Sequence, residues 1–197
     1  ERHEFWSGKG AAIDHALCSP CGVCVEACRF DAIHEEASTG APLRVRIDPF
    51  ACEGCGACVA RCPTGALSLV DRRCGEWMVS ETRCGPMVHA RLAPAAENSG
   101  QLVSVVRREA RRVAGLVGRP QVIVDGPPGI GCPVIASLTG ASLALVVTEP
   151  TVSGEHDLAR VLALARHFAM PAAVCVNKWD INPELAARIE DGARQAG

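Results

Sequence analysis

The chain has 197 residues, 48% of them hydrophobic, with 20 Lys and Arg set against 22 Asp and Glu for a formal charge of -2. A balance this close to neutral excludes nucleic-acid binding driven by bulk basicity, and no uninterrupted apolar run of about 18 residues is present to cross a membrane. With no Tyr, three Trp and four Phe, any core must be built from Val, Leu, Ile and Ala, and the length suits one ordinary domain with a smaller companion.

The chain begins at Glu1 without methionine and shows no signal peptide. We therefore expect a fragment of a longer, soluble, cytoplasmic protein, in which twelve cysteines read as metal ligands and reduced thiols rather than disulfides. The first segment, residues 1–10, contains Ser7-Gly8-Lys9-Gly10. A phosphate loop requires G-x4-G-K-[ST] between a buried strand and a helix; here Gly10 and Ala11 follow the lysine, and an exposed turn is expected.

Residues 11–71 carry the principal motif. Cys18, Cys21, Cys24 and Cys28 form one C-x2-C-x2-C-x3-C run, and Cys52, Cys55, Cys58 and Cys62 form a second. Iron-sulfur cubanes take four thiolates, and in two-cluster ferredoxins the fourth cysteine of each run ligates the other cluster. The pattern thus predicts one 4Fe-4S centre on Cys18, Cys21, Cys24 and Cys62, and another on Cys52, Cys55, Cys58 and Cys28. Zinc is the rival, but four-cysteine zinc sites are built from two pairs held apart by a spacer, whereas here three cysteines fall within seven residues. Loading both cubanes makes the protein more negative.

Short strands are expected on either side of each triple: Ala12-Ile13 and Phe30 to His34 around the first, Val45 to Ile47 and Ala66 to Val70 around the second. Gly22, Gly54 and Gly56 are expected to let the backbone bend around sulfide. Cys62 is followed by Pro63, but Cys28 by Arg29-Phe30, and Glu35 to Arg44 reads as a surface loop.

Residues 72–197 alternate strand and helix. Trp77 to Thr82 and Met87 to Leu92 are predicted strands, joined by Arg83-Cys84-Gly85-Pro86. A helix capped by Asn98 or Ser99 runs to Val117, with Leu102, Val106, Val113 and Val117 on one face, Gly118 as its stop, and Arg107, Arg108, Arg111 and Arg112 on a solvated face. Gln121 to Val124 reads as a buried strand delivering Asp125 to the turn Gly126-Pro127-Pro128-Gly129. A short helix over Ile135–Leu138, a strand over Leu143–Thr148, a helix capped by Ser153, a strand over Ala172–Val176 and a helix from Pro183 complete the prediction. Cys132 and Cys175 read as small core residues, and Cys74 and Cys84 as packing or surface residues.

The succession strand-Asp125-Gly-Pro-Pro-Gly, strand-Thr148-Glu-Pro-Thr, strand-Asn177-Lys-Trp-Asp180, placed after a two-cluster ferredoxin segment, resembles MinD/Mrp-type P-loop ATPases of the ParA superfamily that carry an inserted ferredoxin domain. Gly75-Glu76-Trp77, Ser80-Glu81-Thr82-Arg83 and Gly85 to Ala90 follow the same pattern. The resemblance implies an α/β fold: a partial P-loop-type parallel sheet with flanking helices, plus an inserted α+β bacterial ferredoxin-like domain. It implies that residues 1–10 are a remnant of the ATPase domain, 11–71 the ferredoxin domain and 72–197 the C-terminal part of the nucleotide-binding domain. It further implies that Asp125 stands where those ATPases place a magnesium-linked aspartate, and that Asn177 and Asp180 stand where they read the base. The family's phosphate loop occurs nowhere in these residues, so the chain is expected to bind nucleotide weakly.

The function expected is electron transfer through two 4Fe-4S clusters, coupled in the full-length protein to ATP and Mg. The implied partners are a redox protein, ATP and a second copy of the chain, with no nucleic acid and no membrane span. A cluster carrier and a redox-sensing regulatory ATPase are the alternatives; carriers of the wider family use a C-P-x-C pair near the C-terminus, and none occurs here.

Overall fold

The cysteine-rich segment folds as two copies of one unit, in which residues 34 positions apart, as Cys18 and Cys52 are, occupy equivalent places. The computed structural model describes residues 1–36, 43–96 and 100–196. Its chain divides into two compact units, Glu1–Glu97 and Asn98–Gly197.

In the first unit, strand β1 (Arg2–Ile13) leads to helix α1 (Val23–Ala27) and strand β2 (Ile33–Glu36); strand β3 (Arg44–Ile47) leads to helix α2 (Ala57–Arg61) and strand β4 (Leu67–Thr82). Pairing crosses between the copies. The end of β1 runs antiparallel to the start of β4, with Ile13 opposite Leu67, and β2 runs antiparallel to β3, with Ile33 opposite Ile47. Backbone bonds cross in the same way, Asp14 N donating to Ala66 O at 2.8 Å and Asp48 N to Ala32 O at 2.7 Å. Each of these aspartates also turns the chain toward its cysteines, its carboxylate accepting from the backbone two residues on, Ala16 or Phe50.

Helices of five residues are far below the ~12–15 needed for stability in isolation, so packing must hold them. Both begin after a glycine of positive φ, Gly22 at 74° and Gly56 at 76°. Both bury one cysteine, Cys24 or Cys58, in a core shared with Ile33, Val45 and Leu67. Burying each of the larger aliphatic side chains contributes about 1.5–3 kcal/mol.

The Ser7-Gly8-Lys9-Gly10 stretch is not the turn expected. It lies inside β1, where the register with β4 shifts between Trp6 and Lys9 and Gly8 takes a φ of 70°. An irregular strand absorbs the extra residues as a bulge, and Lys9 pairs with Asp71 across it. Strand β4 continues without a break past residue 71 and pairs with β5 (Gly85–Leu92), giving a sheet of order β1-β4-β5. On it, Glu76 is buried opposite Arg91, which donates to its carboxylate at 2.6 Å, with Arg2 and Arg73 at 3.7 and 3.8 Å. The expected loop from Glu35 to Arg44 lies largely outside the described residues, and its two ends belong to β2 and β3.

In the second unit, α3 (Gln101–Leu116) packs on α4 (Cys132–Leu138). Strand β6 (Ala144–Thr148), helix α5 (Val152–His167) and strand β7 (Ala172–Val176) form a parallel βαβ unit, Ala144 opposite Ala172 and Thr148 opposite Val176. A single 3-10 turn, Trp179–Ile181, precedes α6 (Pro183–Ala196). Leu158, Leu185 and Ile189 form the core here, against Val146, Leu162, Val174 and Val176.

Several expectations for this unit need correction. Residues 121–125 join no strand: Ile123 is 96% exposed, because an apolar run becomes a strand only with a ladder partner and none reaches it among the described residues. The residues expected to cap α3, Asn98 and Ser99, lie outside the described residues, and Gly100, at φ 86°, immediately precedes the helix; Gly118, at φ 67°, does end it. Thr151 rather than Ser153 caps α5, its hydroxyl accepting from Gly154 N at 3.0 Å. Arg107 is buried rather than solvated, its Nη1 donating at 2.6 Å to both Ala136 O and Thr139 O, the carbonyls left open at the end of α4. Val117 is half exposed and Cys132 and Cys175 are exposed, not core.

Candidate metal centre

Each copy contributes three cysteines to one hollow and the fourth to the other. A first hollow is lined by Cys18, Cys21, Cys24 and Cys62. A second is lined by Cys52, Cys55, Cys58 and Cys28. The crossing follows from the strands. Cys28 and Cys62 end the short helices and lead into β2 and β4, and each of those strands pairs with the strand that introduces the opposite triple.

In both hollows the second cysteine of the triple is exposed, the third is buried and the remaining two are intermediate. Backbone N–H groups point at sulfur: Ala32 N donates to Cys28 Sγ and Ala11 N to Cys52 Sγ, each at 3.4 Å. Gly54, φ 61°, lets the second triple pass beneath β1, where a Cβ would stand 2.1 Å from Lys9 O.

Electrostatics divides the thiols. Burial, and then the neighbouring sulfurs of Cys21 and Cys62, push the Cys18 thiol above its ordinary value; Cys62 therefore acts on the first triple although 44 residues separate it from Cys18. Burial likewise pushes up Cys24 and Cys58, partly offset by nearby backbone N–H groups. Cys62 moves the other way: the Thr64 hydroxyl, against some burial and with the backbone N–H of Thr64, Ala66 and Leu67, holds it below the ordinary thiol range. Four thiolates gathered around one hollow repel one another, and a cationic iron-sulfur core held by them would offset that repulsion. Among the described residues no three Cys, His, Asp or Glu side chains converge on a single ion; the cysteines surround a volume, and a cubane is a body that gives each thiolate its own iron. Donor set, hollows and N–H groups aimed at sulfur all fit that group.

The residues expected to read a nucleotide are placed differently. Asn177 follows β7 and its N–H donates to Thr148 O at 2.8 Å, so it sits beside the carboxyl end of β6. Lys178, φ 53°, pairs there with Glu149, and Asp180 lies in the 3-10 turn beyond. Asp125 is exposed on the segment that joins no sheet.

Cys74 is buried, its thiol donating to Ser7 O at 3.0 Å; it packs under the β1 bulge. Cys84 is exposed in the β4–β5 turn. Sequence reasoning passed over Thr64, Ala11 and Ala32. Backbone donors carry no residue signature, but Thr64 was detectable as the one hydroxyl two positions after a fourth cysteine, where the other copy has Phe30.

Residues 17–66 match the 4Fe-4S dicluster domain family. This defines an iron-sulfur, ferredoxin-like domain, and the rest of the chain lies outside the match. The uncharacterized protein MJ0578 of Methanocaldococcus jannaschii is 32% identical over 166 residues, which cover 84% of this chain and 55% of that protein. The uncharacterized protein MJ0579 of the same organism is 33% identical over 60 residues, 30% of this chain and 22% of that protein. The matched segment thus spans about half the length of the first relative and less of the second.

Proposed function

We propose that the chain is an electron-transfer protein with two 4Fe-4S clusters. In this reading Cys18, Cys21, Cys24 and Cys62 ligate one cluster, Cys52, Cys55, Cys58 and Cys28 ligate the other, and a redox protein is the partner. The observation that carries the reading is the sorting of the eight cysteines into two hollows, each taking its fourth sulfur from the other copy. The exposed Cys21 and Cys55 give each centre an approach from solvent, which electron exchange with a partner requires. Anaerobic reconstitution should yield a brown chain holding iron and sulfide for two cubanes, reversibly reducible without metal loss. Cys62→Ala should weaken the Cys18 centre and Cys28→Ala the Cys52 centre. A colourless product, or transfer of the clusters to an apo-acceptor in place of reversible reduction, would overturn the assignment.

Coupling to ATP and Mg is the finer part of the proposal and concerns the second unit. Its support is the parallel β6–β7 pair with Asn177 and Asp180 beyond the carboxyl end, the side on which open α/β sheets bind ligands, together with the motif order that resembles the MinD/Mrp-type ATPases. The test is ATP binding and its effect on the cluster potentials in the longest form of the protein. Potentials indifferent to ATP would remove this part and leave the electron-transfer reading intact.

A further inference from the structure

We propose that Thr64 tunes one centre and not the other: its hydroxyl, donated to the sulfur of Cys62, raises the potential of the Cys18/Cys21/Cys24/Cys62 centre and so makes the two clusters unequal. The inference rests on the iron-sulfur reading above.

The two copies match closely around their fourth cysteines. Cys28 and Cys62 both leave a helix in extended conformation and their N–H groups both bond back to a valine three residues earlier, Val25 or Val59. Asp31 and Gly65 both take positive φ, 50° and 66°. Ala32 and Ala66 are both buried, followed by buried Ile33 and Leu67. Against this background the copies differ at the second position after the cysteine. Thr64 Oγ1 lies 3.6 Å from Cys62 Sγ, a workable reach to an atom as large as sulfur, whereas Phe30 holds the equivalent place and lines the second hollow with a side chain that can donate nothing.

A thiolate ligand carries no proton, so in the bound state only Thr64 can be the donor. Reduction adds negative charge to the cluster and its sulfurs, and a hydrogen bond to a charged acceptor is the stronger kind. The reduced state is therefore favoured and the potential rises. Phe30 lines the other hollow and supplies no such bond. Arg29, beside Cys28, is exposed, so its charge is screened by solvent and salt. The second centre has donors of its own, Ala11 N to Cys52 Sγ and Ala32 N to Cys28 Sγ, but both bonds belong to the backbone and neither is removed by a side-chain change at position 64 or 30.

The test is a redox titration of the reconstituted chain followed by EPR, after iron and sulfide analysis. Wild type should show two midpoints. Thr64→Val should lower one of them by about a tenfold change in the reduced-to-oxidised ratio, about 59 mV for one electron, and leave the other in place, while Thr64→Ser should restore it. Phe30→Thr should raise the midpoint that Thr64→Val does not move. If Thr64→Val shifts neither midpoint with both clusters present, or if both variants move the same one, the inference is overturned. A wild type without two clusters would instead overturn the iron-sulfur reading. Thr64→Ala, read against Thr64→Ser, serves should the valine variant fail to fold.

Discussion

Gly54→Ala is the sharpest test of how the second hollow is held. Gly54 sits between Cys52 and Cys55 with φ 61°, and a Cβ there would meet Lys9 O at 2.1 Å and Lys9 C at 2.8 Å. Neither is the flexible end of a side chain; β1 itself must move. An alanine in the left-handed region costs about 1–2 kcal/mol, and forcing extra volume into a packed site costs about 1–3 kcal/mol more. The sum, about 2–5 kcal/mol, is a large part of the ~5–15 kcal/mol that stabilises an ordinary domain. Gly65→Ala is the internal control: its φ is 66°, yet nothing lies within 4 Å of the added Cβ. It should show the backbone cost alone, as its counterpart Asp31 already does at φ 50°. Urea unfolding of the reconstituted chains, with iron counted per chain, measures both. Gly54→Ala should be less stable than Gly65→Ala by about 1–3 kcal/mol and should lose iron from the Cys52 centre first. Equal midpoints with full iron in both variants would show that β1 does not press on the second triple as described.

Three further predictions concern groups away from the clusters. Cys74→Ala should leave iron and sulfide content unchanged and cost about 1 kcal/mol, the value of its bond to Ser7 O; reduced iron content would instead make Cys74 a ligand. Arg107→Met should destabilise the second unit by about 1–3 kcal/mol, seen as a lower urea midpoint by far-UV circular dichroism, because the Ala136 and Thr139 carbonyls lose a charged donor. The hydrogen bond from Arg188 holds the Glu155 carboxyl below its ordinary range. A depressed carboxylate contributes stability that is full above its unfolded pKa and lost as pH falls through the folded one; Arg188→Met should therefore flatten the acid limb of the stability–pH curve, and an unchanged limb would show the pair to be inert.

The cysteine spacing held much of the first unit in advance because metal chemistry fixes both residue type and separation. Reading Cys28 with the triple of Cys52 needed no tertiary information beyond the repeat, and the hollows contain those sulfurs. The βαβ unit was also readable, since its strands lie in short apolar runs, Leu143 to Thr148 and Ala172 to Val176, on either side of a capped helical segment. Other features were not. Arg107 looked solvated because its charge says nothing of the two carbonyls that the end of α4 brings to it. Gln121 to Val124 looked like a strand because its composition is right; a ladder partner is a property of another segment. The β1 bulge at Gly8 looked like a turn because glycine permits both, and only the pairing of Lys9 with Asp71 decides between them.

The two units differ in what completes them. In the first, Cys24 and Cys58 line the two hollows and also belong to the buried core with Ile33, Val45 and Leu67, so on the iron-sulfur reading proposed above binding iron would also close the core, as in other metal-coupled folds. In the second, α5 and α6 pack on β6 and β7, yet Leu145 and Val147 remain 63% and 58% exposed. Parallel sheets are normally covered on both faces. The alternation along β6, with Val146 inward and its two neighbours outward, therefore marks an apolar face that the described residues leave uncovered. Iron should accordingly stabilise the first unit and leave the unfolding of the second unchanged, so the ATP coupling proposed above is to be tested apart from the clusters.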